Sequence, residues 1–202
     1  MRSVLQWLCA FAAVSADCVF SIFYIDRPVA SWAAGVFGFP RPALLNYPWL
    51  TLAAMLAILV VAGQAVQRNS LSHLSRTLIL SGFALAWGVC TTEFLLKPMF
   101  GRQPPAEWVI HGTYVFSWLL PTDNSSFPSG HAVQMAAVAA VFWRAYPPWR
   151  RLCVGLPLLF SAVFVFGNWH YVSDVIAGLF VGVTAGLIVP ALWNIAGPRL
   201  PE

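Results

Sequence analysis

Apolar stretches of about twenty residues, set apart by short polar or proline-bearing breaks, recur six times along the chain. They predict helices over about 3–25, 48–66, 77–96, 130–146, 152–167 and 173–193. Each is close to the length needed to cross a hydrocarbon core of about 30 Å. Pro147 and Pro148 end the fourth, because proline cannot continue a helix. The expected fold class is therefore all-α: a polytopic membrane protein of six transmembrane helices, forming one domain over 1–202. Six crossings put both termini on one side.

The N-terminal pattern has a second reading. Arg2, an apolar run and the small residues around Ala13 and Ala16 resemble a signal peptide. Apolar sequence continues through Cys18 to Phe23 without a clean break, so the stretch reads as a retained span. Asp17 inside it has to face the bundle, since a lone carboxylate in lipid is costly. The segment 26–47, with Trp32, Phe37, Phe39 and Tyr47, reads as lying along the membrane interface, where aromatic rings are favoured.

Composition agrees with the pattern. Hydrophobic residues make up 59% of the 202 and charged residues 9%, too few to cover a water-soluble surface. The net charge of +4 is a topology signal. With the N-terminus cytoplasmic, Arg2, Arg68, Arg76, Arg144, Arg150, Arg151 and Arg199 fall inside. Arg27, Arg41, Lys97 and Arg102 fall outside, in keeping with the positive-inside bias. No basic patch interleaved with aromatics lies outside the spans, which argues against nucleic acid as a partner. Cys9, Cys18, Cys90 and Cys153 have neither metal-ligand spacing nor a loop position suited to a disulfide. They read as small apolar fillers.

With that orientation, three polar clusters meet at the outer face. The first is Lys97 with Arg102, cations of the kind that phosphate oxygens need. Taken alone, they are ordinary interfacial side chains. Glu93 stands one turn before Lys97 and can pair with it. The second is Pro128-Ser129-Gly130-His131 at the start of the fourth span. Backbone N–H groups at a helix start are unpaired and favour an anion, Ser129 adds a hydroxyl, and His131 can deliver a proton. Its bland alternative is an N-cap serine beside an interfacial histidine. The third is His170 with Asp174, spaced i,i+4. A carboxylate on one imidazole nitrogen fixes the tautomer and leaves the other as a nucleophile. Here the bland alternative is a capping aspartate, with Ser173 as another cap candidate.

Together these motifs resemble the type 2 phosphatidic acid phosphatase (PAP2) superfamily. Pro128-Ser129-Gly130-His131 is its complete second motif, and His170-x-x-x-Asp174 keeps the core of its third. The first motif is similar to the run from Lys97 through Arg102 to Pro104 and Pro105. The chain departs from the pattern at two positions where the family carries arginine, Pro104 and Phe164. The resemblance implies metal-independent phosphoryl transfer with no cofactor. His170 would attack phosphorus, Asp174 would orient His170, and His131 would protonate the leaving oxygen. Lys97, Arg102, Ser129 and Gly130 would bind the phosphate. Arg102 would serve in place of an arginine at position 104, and Asn168 is a candidate to serve in place of one at position 164. The implied substrate is a membrane lipid phosphate or diphosphate whose tail stays in the bilayer, at the outer face of a bacterial inner membrane. Undecaprenyl diphosphate, phosphatidic acid, phosphatidylglycerophosphate and lipid A phosphate all suit such a site.

Three other readings remain open on the sequence: a lipid-to-lipid phosphotransferase, a non-catalytic lipid-binding relative, and an ion path using Asp17, Glu93 and the histidines. Gly178, Gly182 and Gly186 recur every four residues on the sixth span. The stripe permits close helix approach. It is expected to pack within a monomer's own bundle, with a homodimer as the alternative.

Overall fold

The computed structural model describes residues 2–38, 72–120 and 125–196, together with five positions between 58 and 64. The described residues are helical, apart from an isolated antiparallel bridge between Arg102 and Phe116 and the short connections. Among the described residues, four helical stretches are long and apolar enough to cross a membrane. The expected span over 48–66 lies mostly outside the described residues.

The first stretch runs further than the hydropathy break suggests. Helix α1 (Arg2–Phe20) passes through a π turn (Ser21–Ile25) directly into α2 (Asp26–Phe37). The start of the expected interfacial segment is thus a continuation of the helix. Pro28 has no N–H to give to the preceding turn, and two side chains supply donors there instead. The Arg27 guanidinium donates to Phe23 O (3.4 Å) and the Tyr114 hydroxyl to Ile22 O (2.9 Å). The expected inward position of Asp17 is also corrected. Asp17 is exposed, and it is Asp26, nine residues later, that is fully buried. Asp26 finds a cation and a backbone donor where it lies, which is what makes burial of a carboxylate tolerable.

The second stretch, α3 (His73–Cys90), is capped by Ser72, whose hydroxyl accepts from Ser75 N. It continues through a second π turn (Thr91–Leu96) into the short α4 (Lys97–Phe100), ending at Gly101 in the left-handed region (φ 53°). A Cβ at Gly101 would run into the Ser117 carbonyl, so the turn needs glycine. A short helix, α5 (Pro105–His111), follows.

Helix α6 (Gly130–Ala145) lies at the centre, packed against α3, α7 (Arg150–Phe166) and α8 (Val172–Ala196). Its 16 residues span about 24 Å, short of a full hydrocarbon core. Its surroundings are protein: Ala137 and Val141 pack in one cluster with Leu80 and Ala84 of α3 and Ala185 and Val189 of α8. Alanines are what allow this. The glycine stripe of α8 rests on α6, where a Cβ at Gly178 would meet Ser129 O at 2.6 Å and one at Gly186 would meet Ala140 Cβ at 2.6 Å. The outer faces of α1, α3 and α7 carry exposed Leu8, Phe11, Phe83, Trp87, Leu152 and Leu159, as an apolar solvent requires.

Close approach of α6 and α8 generates a test. A Cβ at Gly182 would meet the Val133 carbonyl and sit 2.7 Å from Ala136 Cβ. Gly182→Leu should therefore destabilise the protein in detergent by about 1–3 kcal/mol, the cost of overpacking. Thermal unfolding and gel filtration check this: stability falls while the oligomeric state is unchanged.

Candidate active site

The site forms where the C-terminal end of α3 and α4, the start of α6, the end of α7 and the start of α8 meet the α1–α2 junction. Chain approaches α6 through Ser125, Ser126, Phe127 and a cis Phe127–Pro128 bond, all of it buried. Ser129 is the N-cap: its Oγ accepts from Ala132 N (3.3 Å), which leaves the hydroxyl hydrogen to donate elsewhere. Ser129 N donates to Asp174 O (2.9 Å). One backbone bond thus docks the start of α6 on the start of α8, bringing together the second and third sequence clusters.

The two histidines meet directly. His131 Nδ1 lies 3.4 Å from His170 Nε2. His170 Nδ1 lies 3.2 Å from the Ser126 carbonyl and 3.7 Å from Asp174 Oδ2. A carbonyl can only accept, which assigns the proton of His170 to Nδ1 and leaves a lone pair on Nε2. His131 Nδ1–H then faces that lone pair. Asp174 is nearby, but the closest orienting group is Ser126 O. Asp174 Oδ2 accepts instead from Tyr171 N (2.8 Å), so the i,i+4 spacing gives proximity while the turn 167–171 takes the hydrogen bond. A nucleophilic nitrogen beside a second, proton-bearing imidazole is a pair suited to group transfer.

Lys97 and Gly130 are close neighbours: an added Cβ on Gly130 would sit 3.9 Å from Lys97 Nζ and 3.0 Å from Glu93 Oε1. Lys97 Nζ pairs with Glu93 Oε1 at 2.7 Å, both partly exposed. An ammonium, a carboxylate and a helix start therefore share one corner of the site.

Arg102 is placed differently from its expected role of gripping phosphate. Its side chain is 1% exposed and is held by two buried carboxylates. Nη1 donates to Asp174 Oδ1 (2.5 Å) and Ser173 Oγ (2.7 Å); Nη2 donates to Asp26 Oδ2 (2.7 Å) and the Tyr114 hydroxyl (2.6 Å). The Tyr171 ring centroid lies 4.0 Å from the guanidinium carbon. Burial alone would disfavour the charge, but Asp174 and then Asp26 outweigh it and hold Arg102 above its ordinary value. Burial likewise pushes the Tyr114 phenol up to about 12, so it remains a hydrogen-bond donor at neutral pH. Arg102 is an internal counter-ion, and the physical reason is the second carboxylate, Asp26, which the sequence pattern places at the start of the interfacial segment.

Among the described residues, no cation takes the place of an arginine at either variant position. Pro104 is the residue before α5. Phe164 is buried, its ring 4.6 Å from that of His131 and 5.8 Å from Trp169. Asn168, a candidate replacement donor, is turned to α2: with its amide set to satisfy both partners, N donates to Ala30 O (3.1 Å) and O accepts from Ala34 N (3.0 Å). Among the described residues, no three His, Cys, Asp or Glu side chains are grouped as metal ligands would be. Sequence reasoning missed Asp26, Tyr114 and the Ser126 carbonyl as parts of the site. The available signal was that Asp26 is a second acid at the edge of an apolar span.

Comparison with known proteins identifies the family. The sequence profile of the PAP2 superfamily matches residues 77–197. A lipid A 1-phosphatase of Rhizobium johnstonii is 31% identical over 104 residues, 51% of this chain and 43% of the relative. A lipid A 1-phosphatase of Porphyromonas gingivalis is 30% identical over 111 residues, 52% of this chain and 24% of the relative. The matched region is thus less than half the length of either relative. The crystal structure of a transmembrane PAP2 type phosphatidylglycerolphosphate phosphatase from Bacillus subtilis is similar over the whole of both chains, with a TM-score of 0.51 and 17% identity. That likeness is one of fold.

The buried network sets a measurable expectation. Removing one partner of a buried ion pair strands the others, at about 3–5 kcal/mol. Arg102→Ala should lower stability in detergent by that order, whereas the exposed Arg144→Ala should change it by less than about 0.5 kcal/mol. Equal effects on thermal unfolding would contradict the internal counter-ion.

Proposed function

The chain belongs to the PAP2 superfamily, and from that premise we propose that it is a metal-independent phosphatase of membrane lipid phosphates working through a phosphohistidine. The observation that carries the reading is the imidazole pair, His131 Nδ1 against His170 Nε2 at 3.4 Å, with the other nitrogen of His170 held by Ser126 O. The surrounding helices are those of an integral membrane protein, so a substrate with an acyl or isoprenoid tail can approach from the bilayer.

In the proposed first step the His170 Nε2 lone pair attacks phosphorus. The N–P bond forms as the bond from phosphorus to the lipid oxygen breaks, and His131 gives its proton to that oxygen. Positive charge develops on the His170 ring and is stabilised by Asp174 at 3.7 Å and by the Nδ1–H bond to Ser126 O. In the second step water attacks phosphorus, His131 takes its proton, and phosphate leaves with His170 restored. Lys97, the Ser129 hydroxyl and the Gly130 N–H hold the non-bridging oxygens. The rings now touch, so a phosphoryl group has to part them, and Lys97 has to exchange Glu93 for phosphate.

Similarity to bacterial lipid A 1-phosphatases supports a phosphorylated envelope lipid as substrate, and the charge bias along the chain supports a site at the outer face of a bacterial inner membrane. The proposal takes the whole chain as one membrane domain of six helices. A monomer is favoured because the glycine stripe of α8 is already occupied by α6.

The test is phosphate release, in detergent with a chelator present, from lipid A, phosphatidic acid, phosphatidylglycerophosphate and undecaprenyl diphosphate. Turnover should persist with chelator, and at least one of these should release phosphate. His170→Ala should abolish both turnover and the acid-labile phosphoenzyme. His131→Ala should slow turnover by about 10²–10⁴, the usual share of general acid–base catalysis. Retention of wild-type rate by His170→Ala would remove the mechanism. Lys97→Ala should lower activity about ten- to hundredfold, the equivalent of one charge-assisted phosphate hydrogen bond.

A further inference from the structure

We propose that Asp26 is a positioning residue for the reaction, acting on His170 through Arg102 and Asp174. This rests on the phosphohistidine reading above. Asp26 stands at the junction of the π turn with α2, inside a membrane-spanning helix, and is 1% exposed. An ionisable side chain there is expensive unless it is paired and serves a purpose. Its pairing is complete on both oxygens. Oδ1 accepts from Ser173 N (3.0 Å); Oδ2 accepts from Arg102 Nη2 (2.7 Å) and Ser173 Oγ (2.5 Å), with the Tyr114 hydroxyl at 3.3 Å.

The chain of contacts leads to the nucleophile. Arg102 uses Nη2 on Asp26 and Nη1 on Asp174 Oδ1, and the other oxygen of Asp174 faces His170 Nδ1. Two carboxylates divide one guanidinium, which leaves one formal negative charge in the cluster. That charge matches the imidazolium that forms when Nε2 bonds to phosphorus. Were Asp26 neutral, Arg102 would be balanced by Asp174 alone, and the carboxylate beside His170 would offer the developing charge little. Asp26 also fixes Ser173, and through it the first turn of α8 from which Asp174 projects. Its distance from the reacting atoms means that it should affect the chemical step and leave substrate binding alone.

The experiment compares Asp26→Asn and Asp26→Glu with the wild type on the lipid phosphate turned over fastest, with His170→Ala as blank. Wild-type turnover above that blank, together with an acid-labile phosphoenzyme absent from His170→Ala, establishes the phosphohistidine reading independently; without both, that reading fails whatever Asp26 does. Given turnover, Asp26→Asn should lower kcat by about ten- to hundredfold, the scale of a misplaced reacting group. KM should stay within about twofold, because the interaction removed is made in the transition state. Asp26→Glu, which keeps the charge, should restore most of the kcat. Unchanged kcat in Asp26→Asn, a rise in KM alone, or a folded Asp26→Glu as impaired as Asp26→Asn would overturn the proposal. Should Asp26→Asn not fold, Asp26→Glu decides: near wild-type kcat supports the charge role, and a kcat lowered tenfold or more at unchanged thermal stability overturns it.

Discussion

A single guanidinium divided between two buried carboxylates ties the described bundle together. Arg102 comes from the connection after α4, Asp26 from the first membrane stretch and Asp174 from the last. None of these groups could be buried alone, because an isolated charge in a low-dielectric interior is prohibitively costly. Each is therefore admissible only if the other two arrive, and their meeting fixes the relative positions of three segments far apart in sequence. Ser173 and Tyr114 fill much of the remaining hydrogen-bonding capacity, so the polar cluster is closed at its edges. Arg102 Nε and the hydroxyl of Tyr171, whose ring lies on the guanidinium, are exceptions, buried without a hydrogen-bond partner among the described residues.

The apolar packing and this polar cluster have different tasks. Contact between α6 and α8 depends on small residues, glycine on one helix and alanine on the other, and it sets the distance between the two helix starts. The Ser129 N to Asp174 O bond then sets their register. His131 and His170 are placed by these two constraints before any substrate is considered. Phe164 and Trp169 set a flat, uncharged aromatic wall beside His131.

Much of this was legible in the sequence. Hydropathy located five of the stretches to within a few residues at most of their ends, because apolar surroundings, lipid for most and protein for α6, make the signal strong. The Pro128–His131 and His170–Asp174 clusters were found by residue type and spacing, and they do converge. The failures share a cause. Asp26 and Arg102 look like ordinary span-end charges in one dimension, since nothing local tells a side chain facing water from one facing a distant counter-ion. Helix continuation past residue 25 was hidden because Asp26, Arg27 and Pro28 form a break by composition. In three dimensions the break is bridged by side chains from elsewhere, Tyr114 among them. The role of Ser126 could not be seen at all, because it is played by a backbone carbonyl that carries no residue code.

Contact between the two imidazoles also has a thermodynamic side. In the resting protein each ring satisfies the other, so the site is a closed latch. Any phosphoryl group that enters must first undo that mutual bond, and its apparent affinity is discounted by the population of the parted state. A lipid can offset the discount with the burial of its tail against the bundle. The inorganic phosphate left after hydrolysis has no tail to contribute. On the phosphatase reading, the same latch that weakens binding also favours expulsion of the product, which frees the site for the next lipid without any moving domain.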